Sequence, residues 1–529
     1  MTHIGPPAKP LPEPPLNLAA ARPALLRSRG AKLLAVLAVV MVGIAIRVPH
    51  MVESLWFDEI WRTDAVLRNG RLMDLLFYDV HNPLYNLLMY GWTALFGDSE
   101  VAIRMPSLIF GVLSILLLRV WLARHVGIPE ARLAAVLLVL SPVHAWYSGE
   151  AKNSMFVLVL SVLTLTAHDR LWSSPGRFRI LWAAFCSAMC IYTSWQTLLL
   201  LIPLWAILLF NSTRPAEPVL TPELVTRGRR LLISIALALG AALPLLVFKA
   251  THIAELAREY VIPLDLTNAA RLLFIWYPTG NALVRVRENT FWPYALTLGV
   301  LVIPPFIAGV RTLRRSRPGL LILAGAIGPL LILLAATYGA LLLGLDPPRI
   351  YQDRNTLVAM PWLFAIVAVG ALRLGPLRIP CVAMLCLLGL ASSLAAVTWR
   401  ADKPTVMNPN PDWRAAAAYI ARGETSSRRL TIISTCPLLP FRYYLPSATL
   451  IEIPWNVDIA PLIDAHGRAA PAADTYFINN PFWFGHPQDQ LKGLESRLAI
   501  IESRWFRSLQ VYRLRPPEAP PTIPGKLLE

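Results

Sequence analysis

Charge is what this chain has least of. Asp and Glu number 32 and Lys and Arg 49 among 529 residues, 15% together, and mean hydropathy is +0.52. So little charge cannot cover a folded surface in water, and an ordinary soluble protein is excluded. Cysteine is scarce as well. Of five, Cys186, Cys190, Cys381 and Cys386 lie inside apolar runs and Cys436 alone lies in a polar stretch. That leaves no disulfide framework, no zinc spacing and no P-loop. Glycine and proline are not scarce: the first thirty residues hold Pro6, Pro7, Pro10, Pro12, Pro14, Pro15 and Pro23. Such density prevents a helix, and residues 1–30 read as a disordered cytoplasmic tail.

What the chain does have is apolar runs, with 56% hydrophobic residues. Stretches of about 17–25 residues mark a polytopic helical membrane protein. The net charge of +17 would point a soluble chain towards nucleic acid, but here the excess falls in short loops, and no nucleic-acid partner is expected. Lys and Arg collect in the loops that stay inside. Arg27, Arg29 and Lys32 therefore put the N-terminus in the cytoplasm, ahead of a first span near 31–48. Pro83–Gly97 is apolar but short, and reads as a helix on the membrane surface. Counted as a crossing, it would turn every later Arg cluster outward. Further spans follow near 105–122, 133–147, 153–167, 180–194, 197–210, 231–248, 291–310, 319–345, 356–372 and 380–398. The expectation is about eleven transmembrane helices plus the surface helix, forming a membrane domain over 31–399. Residues 400–529 then lie outside as a soluble α/β domain. Asp412-Trp413-Arg414 opens a helix there, and Leu430–Ser434, Leu450–Ile453, Thr475–Ile478 and Ala499–Arg513 carry β-type runs.

In this topology the unusual polar residues meet on the outer face. Asp58 and Glu59 follow the first span between Trp56 and Trp61. His81 and Arg104 share that loop, Glu150 and Lys152 sit at the next outer turn, and Arg349, Asp353 and Arg354 precede the tenth span. Each has a bland reading when taken singly. The acid pair can be solvated loop charge, Lys152 and Arg354 can snorkel to headgroups, and His81 can start a helix. Trp56 and Trp61 can anchor at the interface, and Ser148 can cap the following span with Glu150 against its dipole. Acids and bases converging from separate loops favour chemistry on a lipid-borne substrate. Basic residues outside run against the inward trend and suit an anionic headgroup or a phosphate.

These same residues carry a resemblance. Trp56-Phe57-Asp58-Glu59, His81-Asn82-Pro83-Leu84-Tyr85, Phe96-Gly97-Asp98-Ser99-Glu100 with Arg104-Met105-Pro106-Ser107, and Ser141-Pro142 through Tyr147-Ser148-Gly149-Glu150-Ala151-Lys152 resemble bacterial GT-C membrane glycosyltransferases. The relatives are the protein O-mannosyltransferases and the lipid A aminoarabinose transferase. Arg354 to Pro361 resembles the family's Arg-led entry into a late span, and Asp412-Trp413-Arg414 a frequent opening of its C-terminal domain. Two departures stand out. Asn82-Pro83 replaces a pair of prolines, and Gly149-Glu150-Ala151-Lys152 replaces Gln-Glu-Ala-Arg. Lysine keeps the charge but loses the bidentate fork.

The resemblance implies an inverting transfer of a sugar from a polyprenyl-phosphate donor to a lipid, glycan or protein acceptor. The site would face the outer side of a bacterial cytoplasmic membrane. By family position Asp58 is the base. Adjacent helical side chains diverge by about 100°, so Asp58 and Glu59 cannot serve one atom equally. Glu59 then orients the base or binds acceptor. Lys152, Arg354 and His81 are the donor-phosphate candidates, and Glu150, Tyr85 and Trp56 the candidates for sugar or acceptor. A divalent cation, Mg or Mn, at Asp58 and Glu150 is permitted but not demanded. The rival reading is a transporter or flippase of a lipid-linked saccharide, which would place its charges near mid-membrane.

Overall fold

Uncharged apolar runs can satisfy their backbone N–H and C=O groups in lipid only by closing into helices. The computed structural model describes residues 34, 37–63, 83–174, 176–213, 222–251, 263–280, 291–348, 353–398, 411–422, 431–434, 438–452, 475–479, 499–506 and 509–515. The tail 1–30 and His81 lie outside them, as do residues 399–410, where the expected domain boundary falls.

The helices, in order, are α1 (Leu37–Met51), α2 (Phe57–Trp61), α3 (Pro83–Phe96), α4 (Glu100–His125), α5 (Ile128–Val139), α6 (Pro142–Ser148), α7 (Ser154–Ser173), α8 (Arg177–Thr193), α9 (Leu198–Thr213), α10 (Pro222–Thr251), α11 (Leu266–Arg271), α12 (Phe291–Leu313), α13 (Arg317–Leu342), α14 (Met360–Ala371) and α15 (Arg378–Thr398). By length and composition six of the described helices can cross a membrane, or seven if the bent pair α5–α6 is one span. That is fewer than the eleven expected. Leu37–Met51, Trp195–Phe210 and Leu298–Leu313 are apolar but shorter. The expected third span is broken by 64° between α5 and α6. Pro142 cannot donate a helical N–H, and Ser141 caps the new start by accepting from the amide of His144. At 14 residues, α3 is too short to span, since a crossing takes about 20.

All twelve residues of α14 are buried, so this helix is the axis of the bundle. A Cβ on Gly370 would lie 1.6 Å from the carbonyl oxygen of Pro305 on α12. Backbone meets backbone there because the side chain is absent.

Beyond residue 410, α16 (Trp413–Arg422) and α17 (Leu439–Tyr444) accompany a mixed five-stranded sheet. The strands are β1 (Thr431–Ser434), β2 (Thr449–Glu452), β3 (Thr475–Asn479), β4 (Ala499–Phe506) and β5 (Leu509–Arg515), in the order β2-β1-β3-β5-β4. β1 runs parallel to β2 and β3, and β5 is antiparallel to β3 and β4. The β-type run over Ala499–Arg513 is divided between the two strands of a hairpin. The C-terminal module does not stand apart from the bundle. Leu55, Ile60, Tyr85, Met89 and Ile103 form one apolar cluster with Trp413, Phe441 and Tyr476.

Candidate functional site

The chain leaves α1 through Val52–Trp56 and re-enters helix at once in α2. A short helix leaves its first N–H groups unpaired. Glu59 Oε2 reaches back to accept from the amide of Trp56 at 2.8 Å, closing one. The same carboxylate takes a bidentate grip from Arg104, Nε to Oε1 at 3.0 Å and Nη2 to Oε2 at 2.6 Å. Oε1 also accepts from the amide of Ala151 at 2.6 Å. Arg104 spends its other donors on the carbonyls of Met51, Glu53 and Ser54. Glu59 and Arg104 are 1% and 2% exposed. Glu59 is therefore a joint between the first loop, α4 and the turn after α6, and neither of its oxygens is left open for a substrate.

Asp58 is turned elsewhere. Its Oδ2 lies 3.1 Å from Lys152 Nζ and 3.1 Å from Arg354 Nη1. Lys152 Nζ lies also 2.8 Å from Glu150 Oε1. Three distant segments thus meet: α2, the turn after α6, and the 3-10 turn Asp353–Ala359 that leads into α14. Burial works to raise the Asp58 carboxyl, but Lys152 and Arg354 outweigh it and hold the group well below the usual carboxylate range. Glu150 responds oppositely, its burial pushing it up against the pull of Lys152. Its Oε2 is buried and meets no donor among the described residues.

Asp58 and Glu150, the acids at which a divalent ion is permitted, share Lys152 as an ionic partner. The Lys152 ammonium lies between them, and no group of three His, Cys, Asp or Glu side chains that could hold a metal occurs among the described residues.

Tyr85 is fully buried, its hydroxyl 3.4 Å from Ser107 Oγ and its ring under Arg62 at 5.2 Å. It belongs to the apolar cluster that also holds Ala151. Trp56 is 8% exposed and lines a small cavity with His50, Glu53, Trp146 and Glu150. Ser148 does not cap the following helix as expected. It ends α6, donating to the carbonyl of His144 at 2.6 Å, and α7 begins at Ser154 after Asn153. The glycine that departs from the family pattern has a steric reason. A Cβ on Gly149 would stand 2.3 Å from His50 Cβ and 3.2 Å from the backbone of His50. Only glycine lets the acidic turn sit this close to the end of α1.

Arg62 and Tyr444 carry no signal in local sequence, whereas Ser107, Glu100, Asp412 and Arg414 stand in the motifs quoted above. Arg62 donates to the carbonyl of Ala151 at 2.6 Å, and Ser107 donates to the carbonyl of Lys152 at 3.1 Å. From the C-terminal module, the Tyr444 hydroxyl accepts from the amide of Leu55 at 3.0 Å and donates to Glu100. Burial and Glu100 push that phenol well above its usual range, so it remains a donor. Arg414 pairs with Glu100 and donates to the carbonyl of Val52 at 3.0 Å. Asp412 caps α16 through the amide of Ala415.

This arrangement of helices and motif loops has known counterparts. It matches the crystal structure of ArnT from Cupriavidus metallidurans in the apo state with TM-score 0.58 and 13% identity, over 91% of this chain and 98% of that one. The same enzyme bound to undecaprenyl phosphate matches with TM-score 0.54 and 15% identity, over 92% and 98%. The likeness is one of fold. Residues 80–249 also match the dolichyl-phosphate-mannose-protein mannosyltransferase family. That match covers α3 through most of α10, including the Glu150–Lys152 turn and excluding Asp58 and Arg354. No curated protein sequence matches the chain.

Proposed function

We propose that this GT-C protein is an inverting glycosyltransferase that takes its sugar from a polyprenyl-phosphate donor. The observation that carries the reading is the convergence of Asp58, Lys152 and Arg354 at one end of the bundle. Transfer to a hydroxyl needs a base for the nucleophile and positive charge for the departing phosphate, and this cluster holds both kinds of group. In the reaction the acceptor oxygen bonds to the anomeric carbon as the bond from that carbon to the phosphate oxygen breaks. The hydroxyl proton passes to Asp58, and the electron pair leaves on the lipid phosphate. Lys152 and Arg354 neutralise that phosphate through charge-assisted hydrogen bonds, with His81 as a third donor. Glu150 holds Lys152 in place and offers its second oxygen to a sugar hydroxyl. Glu59 is assigned to the framework.

The Arg clusters of the opposite loops orient the site to the outer face of the cytoplasmic membrane, with the N-terminus inside and the C-terminal module outside. Lipid, glycan and protein acceptors are all consistent with a hydroxyl nucleophile. Mass spectrometry of envelope glycolipids and glycoproteins from a deletion strain identifies the product. Complementation with Asp58→Asn is expected to leave it absent while the variant protein accumulates and folds normally. Near-normal product from that variant would overturn the assignment of the base.

A further inference from the structure

Both cations of the site sit on one oxygen of the residue assigned as base, Asp58 Oδ2, each at 3.1 Å. A carboxylate that is doubly paired is poorly disposed to accept a proton, since each cation favours its charged form. The same two side chains are the ones the departing phosphate needs. They cannot satisfy Asp58 and a phosphate at once, and a phosphodiester offers each cation an oxygen of its own where Asp58 gives both the same Oδ2.

We infer that the donor unlocks its own catalytic base: an incoming lipid phosphate draws Lys152 and Arg354 away from Asp58, and the carboxylate becomes competent only once the donor is seated. The inference rests on the glycosyltransferase reading above and adds an order to it, donor before acceptor. The geometry suits such an exchange. Lys152 is anchored by Glu150 Oε1 at 2.8 Å, so its ammonium can leave Asp58 while keeping one ionic partner. Uncompensated charge never has to be buried in transit. Arg354 keeps 32% of its side chain exposed and Asp58 39%, leaving room for a headgroup to enter between them. Glu59, two hydrogen bonds deep on Arg104, holds α2 still while the exchange occurs. Without donor, the paired Asp58 cannot activate water or a stray hydroxyl.

A lock of this kind predicts that removing the base improves donor binding. The probe is undecaprenyl phosphate without sugar, titrated into the full-length protein in nanodiscs and read by native mass spectrometry. Asp58→Asn is expected to bind about tenfold more tightly than the wild type, a change of ~1.4 kcal/mol. Lys152→Ala and Arg354→Ala are expected to bind about tenfold more weakly. Equal or weaker binding by Asp58→Asn, with wild-type binding intact, overturns the lock and leaves the phosphate site standing. Absence of binding by the wild type overturns the phosphate site itself. A second measurement needs no variant. With carboxyl-labelled aspartate, the infrared difference spectrum of the wild type on adding undecaprenyl phosphate is expected to show a shifted Asp carboxylate stretch. An unchanged stretch, in a sample that binds the lipid, overturns the exchange even if Asp58→Asn fails to fold.

Discussion

Asp58 and Glu59 are neighbours in sequence with opposite fates, and the difference is one of partners. Glu59 is buried against a bidentate Arg104 and two backbone amides. Asp58 meets two cations at a partly open surface. Breaking a buried pair strands its other member, at a cost of ~3–5 kcal/mol. Glu59→Gln is therefore expected to lower thermal stability by that order, read by unfolding in detergent. Asp58→Asn gives up a partly exposed pairing and should lower the unfolding temperature at neutral pH by less. Equal stability for the two variants would contradict the division of roles. The pH dependence follows with a definite sign. The folded-state carboxyl of Asp58 lies below its unfolded value of about 3.9. Its stabilising contribution is complete above that value and fades as the pH falls below it. Wild type should lose stability below about pH 4 along a limb that Asp58→Asn lacks, measured by thermal midpoints across an acid series. Glu150 contributes with the opposite sign, because its folded-state carboxyl lies above its unfolded value and ionisation costs stability as the pH rises.

At the scale of elements, α2 is five residues long and could not persist by itself, since isolated helices below about 12–15 residues are marginal in water. It is held from three directions: Arg104 on α4, the turn after α6, and α17 of the C-terminal module. The contacts from that module are unequal. Arg414 and Glu100 form a pair in which the Arg side chain is 50% exposed, and exposed pairs are worth under about 1 kcal/mol. Tyr444 is better placed, joining the amide of Leu55 to Glu100 in a partly buried position. Tyr444→Phe is expected to cost ~1–3 kcal/mol locally and to speed hydrogen exchange at the Leu55 amide. Arg414→Ala should leave that exchange nearly unchanged. Equal effects from both would show that the ranking by burial is wrong. Elements were also where the sequence misled. Span three reads as one apolar run, but Pro142 and the Ser141 cap turn it into two helices. The β-type run Ala499–Arg513 does not mark where its hairpin turns, and pairing alone divides it.

For the whole molecule, the distribution of Arg residues sets a testable orientation. Arg170, Arg177, Arg179, Arg227, Arg229, Arg230, Arg311, Arg314, Arg315 and Arg317 lie near helix ends expected inside. An epitope after Glu529 should be reached by antibody in spheroplasts, and one before Met1 only after permeabilisation. The reverse pattern would invert the site and end the outer-face reading. Hydropathy and charge determined that the chain is helical and membrane-embedded, and motif spacing singled out Asp58, Lys152 and Arg354. Those are local signals, set by composition within about twenty residues. The partners of each group came only from the tertiary structure. That Glu59 supports and Asp58 faces the open site depends on where Arg104, Ala151 and Arg354 arrive, up to 296 residues away. The direction of a side chain relative to such distant groups is a property of packing, and no local pattern encodes it.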